Sequence, residues 1–231
     1  MKNIYHRYLD LPFDIQRPEY CNQHFDMIHQ HDLTARHEGQ EGLHYIDRKM
    51  TEWFESLNCA IGHTECFYTP PGQIIPIHTD DIPPSENDIG HVKINMTWGP
   101  LEGVIRWWNS DKTVPMANTQ QAAQYLATGV KPPDDFIKEF VEHKDDFSDN
   151  RNYEETPFLI AREEDSTLVY EKNTNMPSLC NVGQLHSTYN PTNEGRWTLC
   201  FVPCQPTVPG NEKVIPWTDA LEIFKDYIIE D

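Results

Sequence analysis

One short motif, His78-Thr79-Asp80, combines the residue types and the spacing of a metal-binding pair. Residues two positions apart on a β-strand point to the same side, so this imidazole and this carboxylate could both reach one metal ion. On a helix the same spacing rotates the two side chains by about 200°, and they diverge. The motif follows the apolar segment 73–77 and precedes the turn-like sequence Asp81-Ile82-Pro83-Pro84. This context predicts that His78 and Asp80 lie at the end of a strand, where rigid scaffolds present functional residues.

The His-x-Asp spacing is a weak signal by itself, because the chain contains it twice more. His24-Phe25-Asp26 and His143-Lys144-Asp145 lie in segments that we predict to be helical, where such a pair would diverge on a solvated face. His63-Thr64-Glu65 is compatible with a strand, but no glycine-containing approach strand precedes it. We therefore take His78 and Asp80 as the candidate pair.

A second group of chemically suitable residues lies far along the chain. His186 ends a predicted strand, and a turn that contains Asn190, Pro191 and Gly195 leads into another predicted strand at Arg196. In a β-hairpin, the end of one strand and the start of the next lie close together. We therefore expect the imidazole of His186 and the guanidinium of Arg196 to share a pocket.

Together these residues resemble a known kind of site. Two histidines and one carboxylate with open coordination positions form the facial triad of non-haem Fe(II) oxygenases. A nearby guanidinium suits the far carboxylate of a dicarboxylic acid, because it is always charged and donates hydrogen bonds as a fork. The sequence resembles the 2-oxoglutarate/Fe(II)-dependent oxygenases. The matching residues are His78, Asp80, His186, Arg196 and Thr198, the last completing an Arg-x-Ser/Thr pattern.

Two subtypes of that family share further features with the chain. Tyr68 followed by the segment 72–78 is similar to prolyl-hydroxylase-like members, whereas the spacing of His186, Asn190 and Arg196 looks like that of aspartyl/asparaginyl hydroxylases. Unlike the latter, this chain keeps the metal carboxylate. The resemblance covers roughly residues 59–203, and its main departure is an unusually long segment between the two histidines.

The resemblance implies an enzyme in which His78, Asp80 and His186 bind Fe(II) and form the catalytic centre. The implied reaction consumes O₂ and 2-oxoglutarate, releases succinate and CO₂, and hydroxylates an amino acid or a protein side chain. Ascorbate is a candidate reductant. In such enzymes the iron carries the chemistry, and the protein supplies geometry and keeps the oxidant dry.

The same resemblance implies the cosubstrate contacts. Arg196 would pair with the C5 carboxylate of 2-oxoglutarate, with Thr198 donating a hydroxyl beside it and Tyr68 as a candidate further donor. Asn95 lies on a predicted strand soon after the first two metal ligands. It is a candidate contact of either the ligands or the cosubstrate, although a strand residue of this type often bonds only to backbone.

Two other functions are compatible with the same histidines and carboxylate. A Zn²⁺ ion in the site could activate water for hydrolysis. Alternatively, a non-catalytic jelly-roll binding module could use the histidines structurally. Arg196 and Thr198 favour the oxygenase, because a hydrolase has no evident need for a dicarboxylate clamp ten residues after a metal ligand.

The elements that would position these residues are mostly short strands. From about residue 59, segments rich in β-branched and aromatic residues are separated by Pro and Gly. They predict strands at residues 66–68, 73–77, 91–96, 103–108, 158–160, 166–170, 179–185 and 197–202. This pattern predicts a mainly β protein with flanking helices. The resemblance implies that the strands form a double-stranded β-helix, which is a jelly roll or cupin-like barrel.

We predict a single oxygenase domain over residues 1–231. Its parts would be an N-terminal helical flank at 1–58, barrel strands in 59–108 and 156–203, a helical insertion at 109–155 and a C-terminal helix at 217–229. The flank includes an amphipathic helix around residues 46–57, and the insertion includes helices at 119–126 and 133–147. The insertion is a candidate lid or oligomer contact, and the oligomeric state is left open.

Composition excludes several classes of partner. The chain has 18 Lys and Arg against 37 Asp and Glu, a formal net charge of −19. Such acidity argues against binding nucleic acid or an anionic membrane surface. No apolar run approaches the ~20 residues that span a bilayer, and the start lacks the apolar core of a signal peptide. We therefore expect a cytoplasmic protein with a small-molecule, peptide or protein substrate and with six reduced, mostly buried cysteines.

Overall fold

A computed structural model describes residues 4–32, 48–80, 92–132, 158–206 and 213–230. These residues form two antiparallel sheets and a few short helices. The strands are β1 (His6–Tyr8), β2 (His29–Asp32), β3 (Ala60–Thr69), β4 (Ile74–His78), β5 (Val92–Trp98), β6 (Val104–Asn109), β7 (Val114–Met116), β8 (Phe158–Ile160), β9 (Thr167–Lys172), β10 (Ser178–Asn181), β11 (His186–Tyr189), β12 (Arg196–Gln205) and β13 (Lys213–Val214). The helices are α1 (Arg48–Ser56), α2 (Thr119–Thr128) and α3 (Trp217–Ile223).

The strand order is that of a jelly roll. The seven-stranded sheet, here called the large sheet, has the order β1-β10-β5-β12-β3-β2, with β13 paired to β12. The six-stranded small sheet has the order β7-β8-β4-β11-β6-β9. Eight of these strands, β3–β6 and β9–β12, form the barrel. Most of the connections between successive barrel strands run from one sheet to the other, as in a jelly roll. The predicted double-stranded β-helix is therefore confirmed.

The outer face of the large sheet packs against helices. Along β12, the alternate residues Trp197, Leu199 and Phe201 point outward and are almost fully buried. They meet the apolar sides of α1 and α3 in one cluster, here called the outer cluster. Its helical members include Met50, Trp53, Phe54, Trp217 and Ala220. Burial of this apolar surface attaches the helices to the barrel.

The inner face of the same sheet carries mainly polar side chains. Because side chains alternate along a strand, Arg196, Thr198 and Cys200 of β12 point to the side opposite the outer cluster. Their neighbours across the sheet include Asn95, Thr97 and Phe67. These residues line the barrel interior, the space between the two sheets.

The N-terminal prediction is wrong over much of its length. Residues 4–32 contain β1, β2 and a 3₁₀ turn at Glu19–Asn22 rather than helices, and His24-Phe25-Asp26 lies in irregular structure. Both strands extend the large sheet, since β1 pairs with β10 and β2 pairs with β3. Backbone pairing at the sheet edges thus decides the structure here. The amphipathic helix predicted around residues 46–57 is present as α1.

The insertion and the C-terminus agree with the sequence in part. Helix α2 begins after Asn118, whose side chain accepts a hydrogen bond from the Gln121 amide, and ends at Gly129 in the left-handed conformation. The predicted helix at 133–147 lies outside the described residues. Helix α3 is shorter than predicted because a 3₁₀ turn at Lys225–Tyr227 follows it. The predicted strand at 179–185 is confirmed only over its first residues, because β10 stops at Asn181 and the chain turns before β11.

Two further expectations bear on the chain as a whole. All six cysteines have buried, free thiols, as predicted. No helix in the described parts of the chain is long and apolar enough to span a membrane.

Candidate metal centre

Three predicted ligands converge at one end of the small sheet. His78 ends β4 and His186 begins β11, and the two residues lie opposite each other in the antiparallel pairing of these strands. The Oδ1 atom of Asp80 lies 3.3 Å from His78 Nε2 and 3.5 Å from His186 Nε2. The potential metal-binding atoms of His78, Asp80 and His186 all lie within 4.8 Å of one another. Within the described parts of the chain, this is the group of His, Cys, Asp or Glu side chains that lies close enough together to hold a metal ion.

Backbone hydrogen bonds orient both imidazoles. The Nδ1 atom of His78 lies 2.7 Å from the carbonyl oxygen of Pro76, and that of His186 lies 3.0 Å from the carbonyl oxygen of Gln184. A carbonyl can only accept, so each Nδ1 carries the proton and donates it. Each Nε2 is thereby left as a lone-pair donor that faces the carboxylate, the tautomer that a metal ligand needs.

Asp80 lies two residues beyond the end of β4 but is still held in place by the backbone. Its amide donates to the Val182 carbonyl at 3.1 Å. The preceding residue, Thr79, is buried and bonds twice to Leu159, through its amide and through its hydroxyl. These bonds extend the strand geometry past His78, so the side chains of His78 and Asp80 point the same way, as the spacing predicted.

Burial and charge set the ionisation of the ligands. Burial and the neighbouring His78 lower the pKa of His186 to about 4, which keeps its imidazole neutral near pH 7. Burial opposes ionisation of Asp80, but the positive charge of the adjacent Lys93 holds the pKa of this carboxyl well below its usual value. His186 and Asp80 are thus ready to bind a metal without losing a proton at neutral pH.

A buried lysine that the sequence analysis missed contacts the site. Lys93 on β5 places its Nζ 2.7 Å from Asp80 Oδ2 and 2.7 Å from Glu65 Oε2. The other oxygen of Glu65 accepts a hydrogen bond from Gln30 at 2.6 Å. The alternation of side chains along a strand could have indicated both residues. Lys93 lies two positions before Asn95, and Glu65 lies two positions before Phe67, so each points to the same face of its strand as a residue of the barrel interior.

Arg196 lies in the barrel interior and has no carboxylate partner among the described residues. Its side chain is 2% exposed, and burial lowers the pKa of its guanidinium to about 10. Only long hydrogen bonds reach it: Nη1 donates to the carbonyls of Val104 at 3.3 Å and Tyr189 at 3.4 Å, while Nε has no partner. An unpaired buried charge is costly, so this arrangement is typical of a site for an anion.

Two glycines make room for that guanidinium. A Cβ atom at Gly103 would lie 2.8–2.9 Å from atoms of the Arg196 side chain, and one at Gly99 would lie 2.7 Å from its Cβ. Gly99 also has a φ of +146°, which other residues rarely adopt. These positions therefore require glycine so that Arg196 can lie against the backbone.

Thr198 and Asn95 both face the barrel interior. The hydroxyl of Thr198 lies 3.0 Å from that of Thr97, which in turn lies 2.6 Å from that of Thr174. Asn95 lies opposite Cys200 in the sheet, and its buried Oδ1 has no hydrogen-bond partner. The buried hydroxyl of Thr188, on β11 between the metal ligands and Arg196, also has none. The interior thus holds several polar atoms that a bound molecule could satisfy.

Tyr68 does not join this group. Its position on β3 puts it on the face opposite Phe67, within the outer cluster. There its ring lies 5.1 Å from that of Trp197, and its hydroxyl lies 3.2 Å from Nδ1 of His24. The structure therefore contradicts the predicted role of Tyr68 as a donor to the cosubstrate, because the sheet separates it from the barrel interior.

The predicted hairpin between His186 and Arg196 is also wrong. Strand β11 pairs with β4 and β6 in the small sheet, whereas β12 pairs with β3 and β5 in the large sheet. The two strands face each other across the barrel, and Arg196 meets β11 at Tyr189, the end away from His186. A length of barrel interior therefore separates the guanidinium from the metal ligands.

The fold and the site together define a jelly-roll protein with two histidines and one carboxylate grouped as a candidate metal centre. No model of a known protein family matches the chain, and no curated protein matches its sequence significantly. Among solved structures, it is similar to AviO1 from Streptomyces viridochromogenes Tue57, with a TM-score of 0.38, 12% identity and coverage of 90% of this chain and 77% of that one.

Two further solved structures are similar at the same level. EvdO2 from Micromonospora carbonacea var. aurantiaca, complexed with 2-oxoglutarate, has a TM-score of 0.34 and 10% identity over 79% of this chain and 71% of that one. HygX from Streptomyces hygroscopicus, with nickel and 2-oxoglutarate bound, has a TM-score of 0.35 and 12% identity over 78% and 70%. Such distant similarity carries no argument about activity, which has to rest on the residues of this chain.

Proposed function

We propose that the protein is an Fe(II)- and 2-oxoglutarate-dependent dioxygenase that hydroxylates an amino acid or a protein side chain in the cytoplasm. The observation that carries the proposal is the buried guanidinium of Arg196, which has no carboxylate partner and faces the same barrel interior as the His78, Asp80 and His186 ligands. The ligand types are those of a facial iron site, and a fork-shaped cation deeper in the barrel suits a dicarboxylate.

The balance of charges supports a metal together with a dianion. Four charged side chains of the described residues adjoin the site: Glu65 and Asp80 are negative, while Lys93 and Arg196 are positive. These charges cancel, so a divalent metal alone would leave two uncompensated positive charges in a buried space. A dicarboxylate such as 2-oxoglutarate would restore neutrality, which favours binding of both together.

The residues of this chain divide the work between them. His78, Asp80 and His186 would hold Fe(II), which would supply the oxidising chemistry that couples conversion of 2-oxoglutarate to succinate and CO₂ with transfer of the remaining oxygen atom of O₂ to the substrate. Arg196 binds the far carboxylate through its fork of donors, and Thr198 and Asn95 offer further polar contacts. Arg196 and Asn95 are buried, which limits the access of water to this inner part of the site.

The alternative functions explain fewer of the observations. A zinc hydrolase built on the same three ligands gives Arg196 no role, and neither does a binding module with structural histidines. In both cases the desolvated guanidinium would be a cost to stability without a ligand to offset it.

The direct test is turnover of 2-oxoglutarate. Protein supplied with Fe(II), ascorbate and 2-oxoglutarate should release succinate slowly even without a substrate. His78→Ala should abolish this release, and Arg196→Met should raise the 2-oxoglutarate concentration that is required. Arg106→Met is the matched control, because Arg106 pairs with Glu171 and stacks on Tyr189, away from the metal ligands. Wild-type protein that neither binds iron nor releases succinate would refute the proposal.

The substrate can be sought by mass spectrometry. Amino-acid and peptide libraries incubated with the loaded enzyme should yield a product heavier by one oxygen atom. The same incubation with His78→Ala should give none, which separates enzymatic hydroxylation from oxidation by free iron and ascorbate.

A further inference from the structure

The two oxygens of the Asp80 carboxylate have different partners. Oδ1 faces the Nε2 atoms of both histidines, at 3.3 and 3.5 Å. Oδ2 points away from them and lies 2.7 Å from the Nζ of Lys93. One oxygen is therefore directed at the metal-binding position, while the other is bound by a cation.

Lys93 is itself fixed from several sides. Its ammonium contacts Glu65 Oε2 at 2.7 Å and lies 5.5 Å from the centre of the Phe67 ring. Glu65 accepts a further bond from Gln30, so the carboxylate that holds Lys93 is also held. Only 8% of Lys93 is exposed, and it belongs to the large sheet, whereas Asp80 follows a strand of the small sheet. Lys93 thus ties Asp80 to the opposite wall of the barrel.

We propose that Lys93 is a positioning residue that keeps Asp80 a one-oxygen metal ligand and so leaves a coordination position open for the dicarboxylate. A carboxylate can bind a metal through one oxygen or through both. With Oδ2 occupied by Lys93, Asp80 offers only Oδ1. Without Lys93, Oδ2 is free to turn to the metal and to occupy a position that the cosubstrate needs. This inference rests on the proposed function.

The inference gives opposite expectations for the two ligands. In Lys93→Met, a second oxygen of Asp80 becomes available and a nearby positive charge is lost, so the metal should bind as tightly as before or more tightly. The dicarboxylate should bind the metal-loaded protein about 10-fold or more weakly, because it must first displace the second oxygen of Asp80 from the metal, at a cost of at least about 1.4 kcal/mol. If Lys93 only stabilised the structure, its replacement would weaken binding of the metal and of the dicarboxylate alike.

The experiment measures two affinities on each variant. Co(II) binding is followed by its visible absorption, whose intensity and shape depend on the coordination number, and 2-oxoglutarate binding to the Co(II)-loaded protein is followed by calorimetry. Lys112→Met is the matched control, because Lys112 forms an ion pair with Asp165 at the exposed surface. It should leave both affinities unchanged. In Lys93→Met, the cobalt spectrum should also shift toward higher coordination before 2-oxoglutarate is added.

A double variant separates positioning from charge and protects against loss of folding. Lys93→Met alone leaves Glu65 without its ammonium, whereas Glu65→Gln combined with Lys93→Met removes one charge of each sign. Under our inference, 2-oxoglutarate still binds the double variant about 10-fold or more weakly, because Asp80 Oδ2 is free to compete with it for the metal. Recovery of wild-type affinity would overturn the inference, since charge alone would then explain the effect.

The remaining outcomes are also distinct. If wild-type protein binds both ligands but the Lys93 variants lose affinity for both in parallel, Lys93 is structural and the positioning role is wrong. If wild-type protein binds neither Co(II) nor 2-oxoglutarate, the proposed function fails and this inference falls with it.

Discussion

The two faces of the large sheet carry opposite kinds of side chain, although the same strands supply both. On β12, Trp197, Leu199 and Phe201 point into the outer cluster, whereas Arg196, Thr198 and Cys200 point into the barrel interior. The outer face is sealed by aromatic and aliphatic contacts with α1 and α3. The inner face has buried polar atoms without partners, including Arg196 Nε and Asn95 Oδ1.

This difference indicates that the two faces have different tasks. Apolar burial is favourable in the protein alone, so the outer cluster stabilises the fold whether or not a ligand is bound. Unpaired polar groups are unfavourable until something binds them, so the inner face should lower the stability of the ligand-free protein. Substitutions at outward-facing residues of a strand should therefore change mainly the free energy of unfolding. Substitutions at the inward-facing residues of the same strand should change mainly ligand affinity.

The largest effect on stability is expected at the outer face. Phe201 is fully buried there, and Phe201→Ala removes its ring and leaves a cavity. The free energy of unfolding should fall by about 3–5 kcal/mol, measured by denaturant titration of the metal-free protein. At a temperature where the variant stays folded, its affinities for Co(II) and 2-oxoglutarate should match those of the wild type. A parallel loss of metal affinity would show that the two faces are not independent.

Arg196, on the inner face of the same strand, should show the reverse. Arg196→Met removes a buried guanidinium that lacks a carboxylate partner, so the ligand-free protein should unfold at an equal or higher denaturant concentration. Binding of 2-oxoglutarate to the metal-loaded protein should weaken by about 2–5 kcal/mol, because its far carboxylate loses its cation. If the substitution instead destabilises the fold and spares dicarboxylate binding, the assignment of Arg196 is wrong.

The candidate pair His78 and Asp80 could be predicted from sequence because its spacing along one strand end is local, whereas His186 was assigned through the family resemblance and meets the pair through strand pairing. His78 and Asp80 are held by a single strand end, and each histidine is oriented by a carbonyl two residues before it. Lys93 and Glu65 could not be assigned in the same way, because their contact depends on which strands pair and in what register. Their burial becomes evident only when β3, β12 and β5 are placed side by side.

The incorrect predictions have a related cause. Tyr68 lies on a strand that is buried on both faces, so its apolar neighbours do not reveal which side faces the site. The short link between His186 and Arg196 suggested a hairpin, but the jelly-roll order sends the two strands to different sheets. The sequence predicted that His186 and Arg196 belong to the site. The distance between them could not be predicted, because it depends on the order of the strands in the two sheets.

Removal of the metal should test the charge balance of the inner face. The described charges at the site cancel in the ligand-free protein, so a divalent metal and a dicarboxylate each compensate for the other. Chelation of the metal should weaken 2-oxoglutarate binding at least about 10-fold, and 2-oxoglutarate should tighten metal binding by the same factor. Calorimetric titrations in both orders measure this coupling. Equal affinity with and without metal would remove the support that the charges give to the proposed function.

The smallest expected effect is a difference in 2-oxoglutarate binding between two threonine variants. Thr198 and Thr174 lie at opposite ends of a chain of three hydroxyl groups. Thr198 and Thr174 both bond to the central Thr97, at 3.0 and 2.6 Å, so replacing either with Val should cost stability by a similar amount, about 1 kcal/mol. Only Thr198 lies two residues from Arg196 on the inner face of β12. Thr198→Val should therefore also weaken 2-oxoglutarate binding by roughly 1 kcal/mol, which is about fivefold, whereas Thr174→Val should not. If the two variants bind 2-oxoglutarate with equal affinity, Thr198 contributes only to stability. The dicarboxylate would then be bound by Arg196 and the metal without Thr198.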